Sequence, residues 1–356
     1  MTPDQSRRRR EASRRRRRRR RAAFAGVLAV VIVCALVVMA LAKSHGAHGP
    51  AVAAAHSTGG HAGVAVKPKL SPSGLLLAKP PIALTGIATP QTDPVRAAFV
   101  TPPRAGLLFN VSTGQVLWQR NPFRRARIAS LTKMMTALLA VESAPPSAHI
   151  LVTKQAVEAA GSKVGVLPLG KHVRLETMLY GLLLPSGNDA AMAIAQHVAG
   201  TANRFVAQMN ARAAKLGMGC TRYSSPSGYV DQGNYSCAAD LALLAHVDLG
   251  QPRIARIVHT YTAALPFPIK GGKLWLYNNN PLLIYGYPGL TGLKTGFTTA
   301  AGRCLVATAE RHGVRLGVVL LDSPDPGTQA RHLLNAGFED VYHQAPIPQP
   351  PLPPGV

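Results

Sequence analysis

The sequence predicts an α+β fold: an antiparallel β-sheet completed by distant segments and covered by helices, with one transmembrane helix ahead of it. Three observations carry this. Strand-like runs lie at both ends of the region from Ala98 to His343, helix-like runs lie between them, and an uncharged stretch of 21 residues sits near the amino terminus. With 47% hydrophobic and 15% charged residues among 356, the composition is globular with an additional apolar element.

The elements follow in chain order. Residues 1–21 hold 12 arginines against Asp4 and Glu11, a large part of the formal charge of +25. Directly behind them, Ala22 to Ala42 contain no charge and have the length that crosses a hydrocarbon core as a helix. An arginine block abutting such a run is a topology signal rather than a nucleic-acid arm, so no nucleic-acid partner is inferred. The expected arrangement is a cytoplasmic segment 1–21, a signal-anchor 22–42 in the cell membrane and everything after Lys43 outside. Cleavage after Ala42, which would give a secreted protein, is the other reading of the same run. Residues 43–97, rich in Ala, Gly, Pro and His, read as a flexible linker, and 344–356 as a Pro-rich tail.

Within 98–343, "AGLLFNVSTGQVLWQR" is two short strands around a turn at Ser112, Thr113 and Gly114. A helix from Ser130 follows, with Leu131, Met134, Met135, Leu138 and Leu139 at helical spacing. Helical segments continue through "LETMLYGLLL", "GNDAAMAIAQHVAG" and "ANRFVAQMNARAAKLG", the last closed by Gly217. "GLKTGFT", "GRCLVATAERHG" and "VRLGVVLLDS" read as three strands joined by tight turns, and "TQARHLLNAGFEDVY" as a closing helix.

Three short motifs interrupt these elements. Ser130 and Lys133 stand at i and i+3, so both side chains share one helix face. A serine hydroxyl becomes a nucleophile when a base takes its proton, and a lysine serves as that base when burial or a second cation lowers its pKa. Ser186, Gly187 and Asn188 break an apolar run at a helix start. Lys294, Thr295 and Gly296 put a cation and a hydroxyl beside a glycine that admits close approach to the backbone. Each alone has a bland reading: a capping serine, a snorkelling lysine, a turn, a strand with an exposed lysine. SxxK, then SxN 56 residues on, then KTG 108 further, in an exported domain, is the signature set of penicillin-recognising serine enzymes.

From about Arg104 to Tyr342 the sequence resembles the low-molecular-weight penicillin-binding proteins, the serine-type D-alanyl-D-alanine carboxypeptidases of peptidase family S11. The likeness also includes "SSPSGY" and "NNNPLL". It implies a helical subregion beside the sheet, as in the penicillin-binding protein and β-lactamase-like transpeptidase fold, with the site in the cleft between the two. It further implies that Ser130 attacks peptidoglycan stem peptides ending in D-Ala-D-Ala, that Lys133 is the general base, and that Ser186 relays a proton to the leaving amine. Asn188, Lys294, Thr295, Gly296 and Phe297 would bind substrate. Asn188 would hold Lys133 and the substrate amide, Lys294 and Thr295 the carboxylate, and the N–H groups of Phe297 and Ser130 the oxyanion. β-Lactams would act as inhibitors.

Three features depart from the family pattern: Thr291 stands where aspartate is often found, Phe297 where histidine is common, and after "VVLLDS" the chain reads "PDPGTQ", with no arginine placed where some members use one on the terminal carboxylate. The alternatives are a peptidoglycan DD-endopeptidase with the same site, or a catalytically silent peptidoglycan-binding or sporulation module. A class A β-lactamase would need a deacylating glutamate and usually carries SDN where this chain has Ser186-Gly187-Asn188. No HExxH or paired Cys/His spacing occurs, so no metal or other cofactor is expected. Cys220 and Cys237 flank a loop that a disulfide would close outside the cell; two unpaired buried thiols are the other reading.

Overall fold

The computed structural model describes residues 69–87, 92–230, 232–269 and 272–348. The strands β1 (Ala105–Asn110) and β2 (Val116–Arg120) form a hairpin. Its turn is set by Asn110, whose Oδ1 accepts the N–H groups of Ser112 (2.9 Å) and Thr113 (3.0 Å). After β3 (Ala126–Arg127), a 3-10 turn at Ala129–Leu131 leads into helix α1 (Thr132–Ser143). The antiparallel pair β4 (His149–Leu151) and β5 (His172–Arg174) brackets the single-turn α2 (Lys154–Val157). Helices α3 (Leu175–Leu183), α4 (Asn188–Ala199) and α5 (Ala202–Lys215) follow. β6 (Tyr235–Ser236) returns to pair with β3. Next come α6 (Ala238–Leu249), α7 (Pro252–His259) and the hairpin of β7 (Thr262–Pro266) with β8 (Lys273–Tyr277). The short α8 (Pro281–Ile284) precedes β9 (Leu290–Thr298), β10 (Gly302–Arg311) and β11 (Val314–Leu321), and α9 (Pro326–Ala336) runs into a π turn at Gly337–Val341.

The main sheet is antiparallel with strand order β2-β1-β11-β10-β9, so the first strands of the domain are completed by the last. Its strands are buried on both faces, and their period of two divides the side chains between two cores. Leu108, Leu305, Val318 and Leu320 point into one core, covered by Leu333 and Leu334 of α9 and by Phe338. Leu107, Phe109, Val306, Val319 and Leu321 face the other, larger core, which includes Leu241 and Leu244 of α6 and Met134, Met135 and Leu138 of α1. Burying each such Leu or Met contributes about 1.5–3 kcal/mol.

The helical subregion is built around α4, which packs against α1, α3 and α5. Its buried face is Ala190, Ala191, Ala193, Ile194 and Ala195, and these small side chains let its neighbours close in. α4 ends where Gly200 adopts a φ of 75°, a turn that residues with a Cβ resist.

The domain begins earlier than the linker expectation of 43–97 allows. Val116 N–H donates to the Thr85 carbonyl (2.9 Å), Gln119 N–H to Asp93 Oδ2 (2.9 Å), and Val95 is buried. These few anchors are scattered through Ala, Pro and Thr, which is why the composition reads as linker. Among the described residues no helix is long and apolar enough to cross a membrane. The Arg-rich segment 1–21, the span expected at 22–42 and residues 349–356 lie outside the described residues. A disulfide joins Cys220 to Cys237. With Asp240 these sulfurs form a cluster of metal-ligand type, but sulfurs already bonded to each other are not thiolate ligands.

Candidate active site

Ser130 lies in the 3-10 turn, and α1 proper begins at Thr132. Its hydroxyl does not cap the helix, for neither that turn nor α1 has a side-chain cap. The turn is held instead by Thr132 Oγ1 donating to the Ala129 carbonyl (2.8 Å) and by Leu131 N–H donating to the Ile128 carbonyl (3.1 Å). One turn on, Lys133 is wholly buried, and its Nζ is 2.8 Å from Ser130 Oγ, 2.7 Å from Asn188 Oδ1 and 2.9 Å from the Ser227 carbonyl oxygen.

The last two partners only accept. They therefore take the two N–H groups of a neutral amine and leave its lone pair toward the Ser130 hydroxyl. Asn188 is fixed in that orientation, because its Nδ2 donates to the Ala160 carbonyl at 2.5 Å. The Ala160 loop is itself pinned by Asp189, whose carboxylate accepts the N–H groups of Val164 (2.9 Å) and Gly165 (3.0 Å).

Burial holds the Lys133 ammonium well below the ordinary lysine pKa, the Lys294 charge lowers it further, and the nearby Asp189 carboxylate opposes both. Lys294 is also fully buried, which alone brings its pKa to about 7; its Nζ donates to the Thr295 carbonyl (3.0 Å).

The third wall is β9. A Cβ on Gly296 would stand 2.9 Å from the Ile128 carbonyl oxygen and 3.1 Å from Ser130 N. The close approach that glycine permits is thus first of all that of the turn carrying Ser130, where the sequence suggested a ligand. Thr295 Oγ1 donates to Asn279 Oδ1 (2.8 Å).

Ser186 stands at φ 67° in the turn before α4, a left-handed conformation unusual for a residue with a Cβ. It is buried, and its Oγ has no hydrogen-bond partner among the described residues. An unpaired buried hydroxyl in a strained turn is costly, and such costs concentrate at functional sites. Ser130, Ser186, Thr295, Gly296 and Phe297 line one cleft of about 270 Å³. Ser130, Asn188 and Phe297 also line a second one beside it, with Gly161, Ser162 and Tyr229.

A sequence model of peptidase S11, described as D-alanyl-D-alanine carboxypeptidase, matches residues 99–325. The chain belongs to this family.

Among S11 relatives, the chain is 32% identical over 252 residues to D-alanyl-D-alanine carboxypeptidase DacF of Bacillus subtilis, a match covering 68% of this chain and 64% of that protein. It is 33% identical over 237 residues to a D-alanyl-D-alanine endopeptidase of Pseudomonas aeruginosa, covering 62% of this chain and 76% of that one. The crystal structure of the Streptomyces K15 DD-transpeptidase is similar with a TM-score of 0.64 at 29% identity, covering 68% of this chain and 99% of that one.

All eight residues expected at an S11 site lie around this cleft or directly behind its walls: Ser130, Lys133, Ser186, Asn188, Lys294, Thr295, Gly296 and Phe297. Sequence reasoning missed the Ser227 and Ala160 carbonyls, Asp189, Ser162 and Asn279. "SSPSGY" and "NNNPLL" pointed to the segments holding Ser227 and Asn279, but a backbone carbonyl carries no residue identity that a pattern could single out.

Proposed function

We propose that this S11 peptidase is a serine-type D-Ala-D-Ala carboxypeptidase that acts on peptidoglycan stem peptides through an acyl-enzyme on Ser130. The observation that carries the reading is the 2.8 Å contact between Ser130 Oγ and a buried Lys133 whose proton affinity is depressed. Ser130 Oγ attacks the carbonyl between the last two D-alanines as Lys133 Nζ takes its proton. The C–N bond then breaks while Ser186 passes a proton to the leaving amine, and D-alanine departs. Water hydrolyses the remaining ester and restores Ser130.

Asn188 keeps Lys133 oriented and meets the substrate amide, and Lys294 and Thr295 attract the substrate carboxylate. The N–H groups of Ser130 and Phe297 face the oxyanion, where one such donor contributes about 3 kcal/mol to the transition state. β-Lactams acylate the same serine. A DD-endopeptidase would use the same residues, and the name of the Pseudomonas aeruginosa relative favours keeping that second reading.

The arginine block at 1–21 and the apolar run at 22–42 support an amino-terminal anchor in the cell membrane, with residues 98–343 outside the cytoplasm. Protease added to intact cells should digest the catalytic domain; full protection would refute the topology. For the chemistry, a labelled penicillin should form a covalent adduct with the wild type and none with Ser130→Ala. An unlabelled wild type, or equal labelling of both, would defeat the mechanism. Purified cross-linked and uncross-linked muropeptides separate the carboxypeptidase from the endopeptidase.

A further inference from the structure

The hairpin of β7 and β8 has one buried face and one open face. Leu274 and Leu276 turn inward and are buried, whereas Lys273, Trp275 and Tyr277 face outward, with Trp275 63% and Tyr277 61% exposed. Large aromatic side chains gain by leaving water, and two in a row on one sheet face mark an interaction surface. Across the ladder Trp275 opposes Ala264 and Tyr277 opposes Thr262, and these small partners leave both rings uncovered. Among the described residues neither ring pairs with another ring or with a cation.

The face is held still. Thr177 Oγ1 of α3 donates to the Pro266 carbonyl (3.4 Å) at one end, and Asn278 Nδ2 donates to the Val258 and Thr260 carbonyls (both 3.1 Å) at the other. It also leads into the cleft. The alternation of exposed and buried residues continues past the strand, so Asn279 follows Lys273, Trp275 and Tyr277 in the outward row. Asn279 lines the cleft and accepts the Thr295 hydroxyl. At about 3.3 Å per extended residue, Tyr277 stands about 7 Å and Trp275 about 13 Å from it.

A stem peptide seated at Ser130 is joined to a chain of sugars. With roughly five residues of about 3.4 Å each it reaches about 17 Å, so those sugars arrive beside the aromatic row. A sugar ring carries C–H groups on its faces and polar groups around its rim, which suits an indole or phenol with an apolar face and a polar tip. Lys273 ends the row with a cation, complementary to a polymer that bears carboxylates on its peptides. A bilayer interface also takes Trp and Tyr, but a bilayer lying on this row would stand against the cleft that has to admit the polymer.

We infer that the outer face of the β7–β8 hairpin binds the sugar chain of peptidoglycan, with Tyr277 and Trp275 each stacking on a ring while the attached stem peptide lies at Ser130. The inference rests on the carboxypeptidase reading above and adds to it a second contact with the same polymer. Because this contact exists before the bond breaks, its loss acts on KM.

The test compares a free stem peptide ending in D-Ala-D-Ala with the same peptide carried on a soluble, uncross-linked sugar chain, for wild type and the double variant Trp275→Ala/Tyr277→Ala. Thermal melting confirms folding. Wild type should favour the sugar-linked substrate by about 10-fold, as two aromatic contacts provide, with the difference in KM. The double variant should bring the two substrates within about threefold and cleave the free peptide as wild type does. Trp118, the other tryptophan, is buried, so a change in wild-type emission on adding peptide-free sugar chains reports Trp275. A preference that survives in the double variant, a wild type indifferent to the sugars, or an unchanged emission overturns the assignment and leaves the carboxypeptidase reading intact. An emission shift on phosphatidylglycerol vesicles with none on sugar chains would give the face to lipid and overturn it too. A wild type that cleaves neither substrate and takes no penicillin defeats the carboxypeptidase reading, while the sugar titration still decides the surface.

Discussion

Lys133 Nζ lies 2.8 Å from Ser130 Oγ at the foot of a helix in which the lysine has no exposed surface. A base buried among apolar side chains and a second cation is one that gives up its proton early.

Lys294 should therefore set the acidic limb of the pH profile. Its charge is the second-largest cause of the lowered Lys133 pKa, after burial. In Lys294→Gln, Lys133 holds its proton to higher pH, so the rise of penicillin acylation rate with pH should shift upward, alongside a weaker overall rate. Stopped-flow acylation across pH measures both, and an unmoved limb would remove Lys294 from this role.

Lys133→Ala should lower acylation about 10²- to 10⁴-fold, the range a positioned general base contributes. The folded domain should remain, since deleting a buried amine also deletes a group that opposes burial. Near-normal labelling of this variant with a fluorescent penicillin would exclude Lys133 as the base.

Ser186 separates function from stability. Ser186→Gly relieves the left-handed backbone at φ 67°, whereas Ser186→Ala keeps it and only deletes the unpaired hydroxyl. Both should lose most deacylation or acylation activity, yet the glycine variant should melt above the alanine variant. Equal melting temperatures would mean that the turn stores no strain.

Gly228 ties the Ser227 loop to the catalytic helix. A Cβ there would overlap the Ala129 carbonyl, and the glycine holds a φ of 75°. Gly228→Ala should cost about 2–4 kcal/mol and slow acylation, because the displaced loop carries the carbonyl that holds Lys133. Urea unfolding and the labelling rate should change together.

Asp248 offers a stability prediction away from the site. It is fully buried, both carboxylate oxygens lack a partner among the described residues, and burial raises its pKa well above the ordinary carboxylate value. A raised folded pKa means that the native state keeps a proton the unfolded chain has released. The cost is absent below about pH 4 and grows by about 1.4 kcal/mol per pH unit up to the folded pKa. Asp248→Asn should thus be more stable than wild type at neutral pH, with an advantage that fades on acidification. An advantage independent of pH would assign the effect to something other than ionisation.

Much of this fold is legible in the sequence where a regular period is present. The β1–β2 turn, α1, α3 to α5 and the run β9 to β11 follow from alternation, helical spacing and turn residues. α6 escapes because it is buried nearly all round and so shows no apolar stripe, and the β7–β8 hairpin because its outer face carries Trp275 and Tyr277, which blur the alternation. The site divides in the same way. Its side chains sit in contiguous motifs and are read directly, whereas Ser227 and Ala160 act through carbonyls, which no motif marks.

The partners of Lys133 come from points 3, 55 and 94 residues away in the chain. Synthesis delivers Ser130 and Lys133 long before the loop that completes their surroundings. Until that loop has closed, Lys133 is wet, keeps its proton and leaves Ser130 an ordinary alcohol. Reactivity is thus a late product of chain assembly: a nascent or half-folded molecule has no activated nucleophile with which to attack its neighbours.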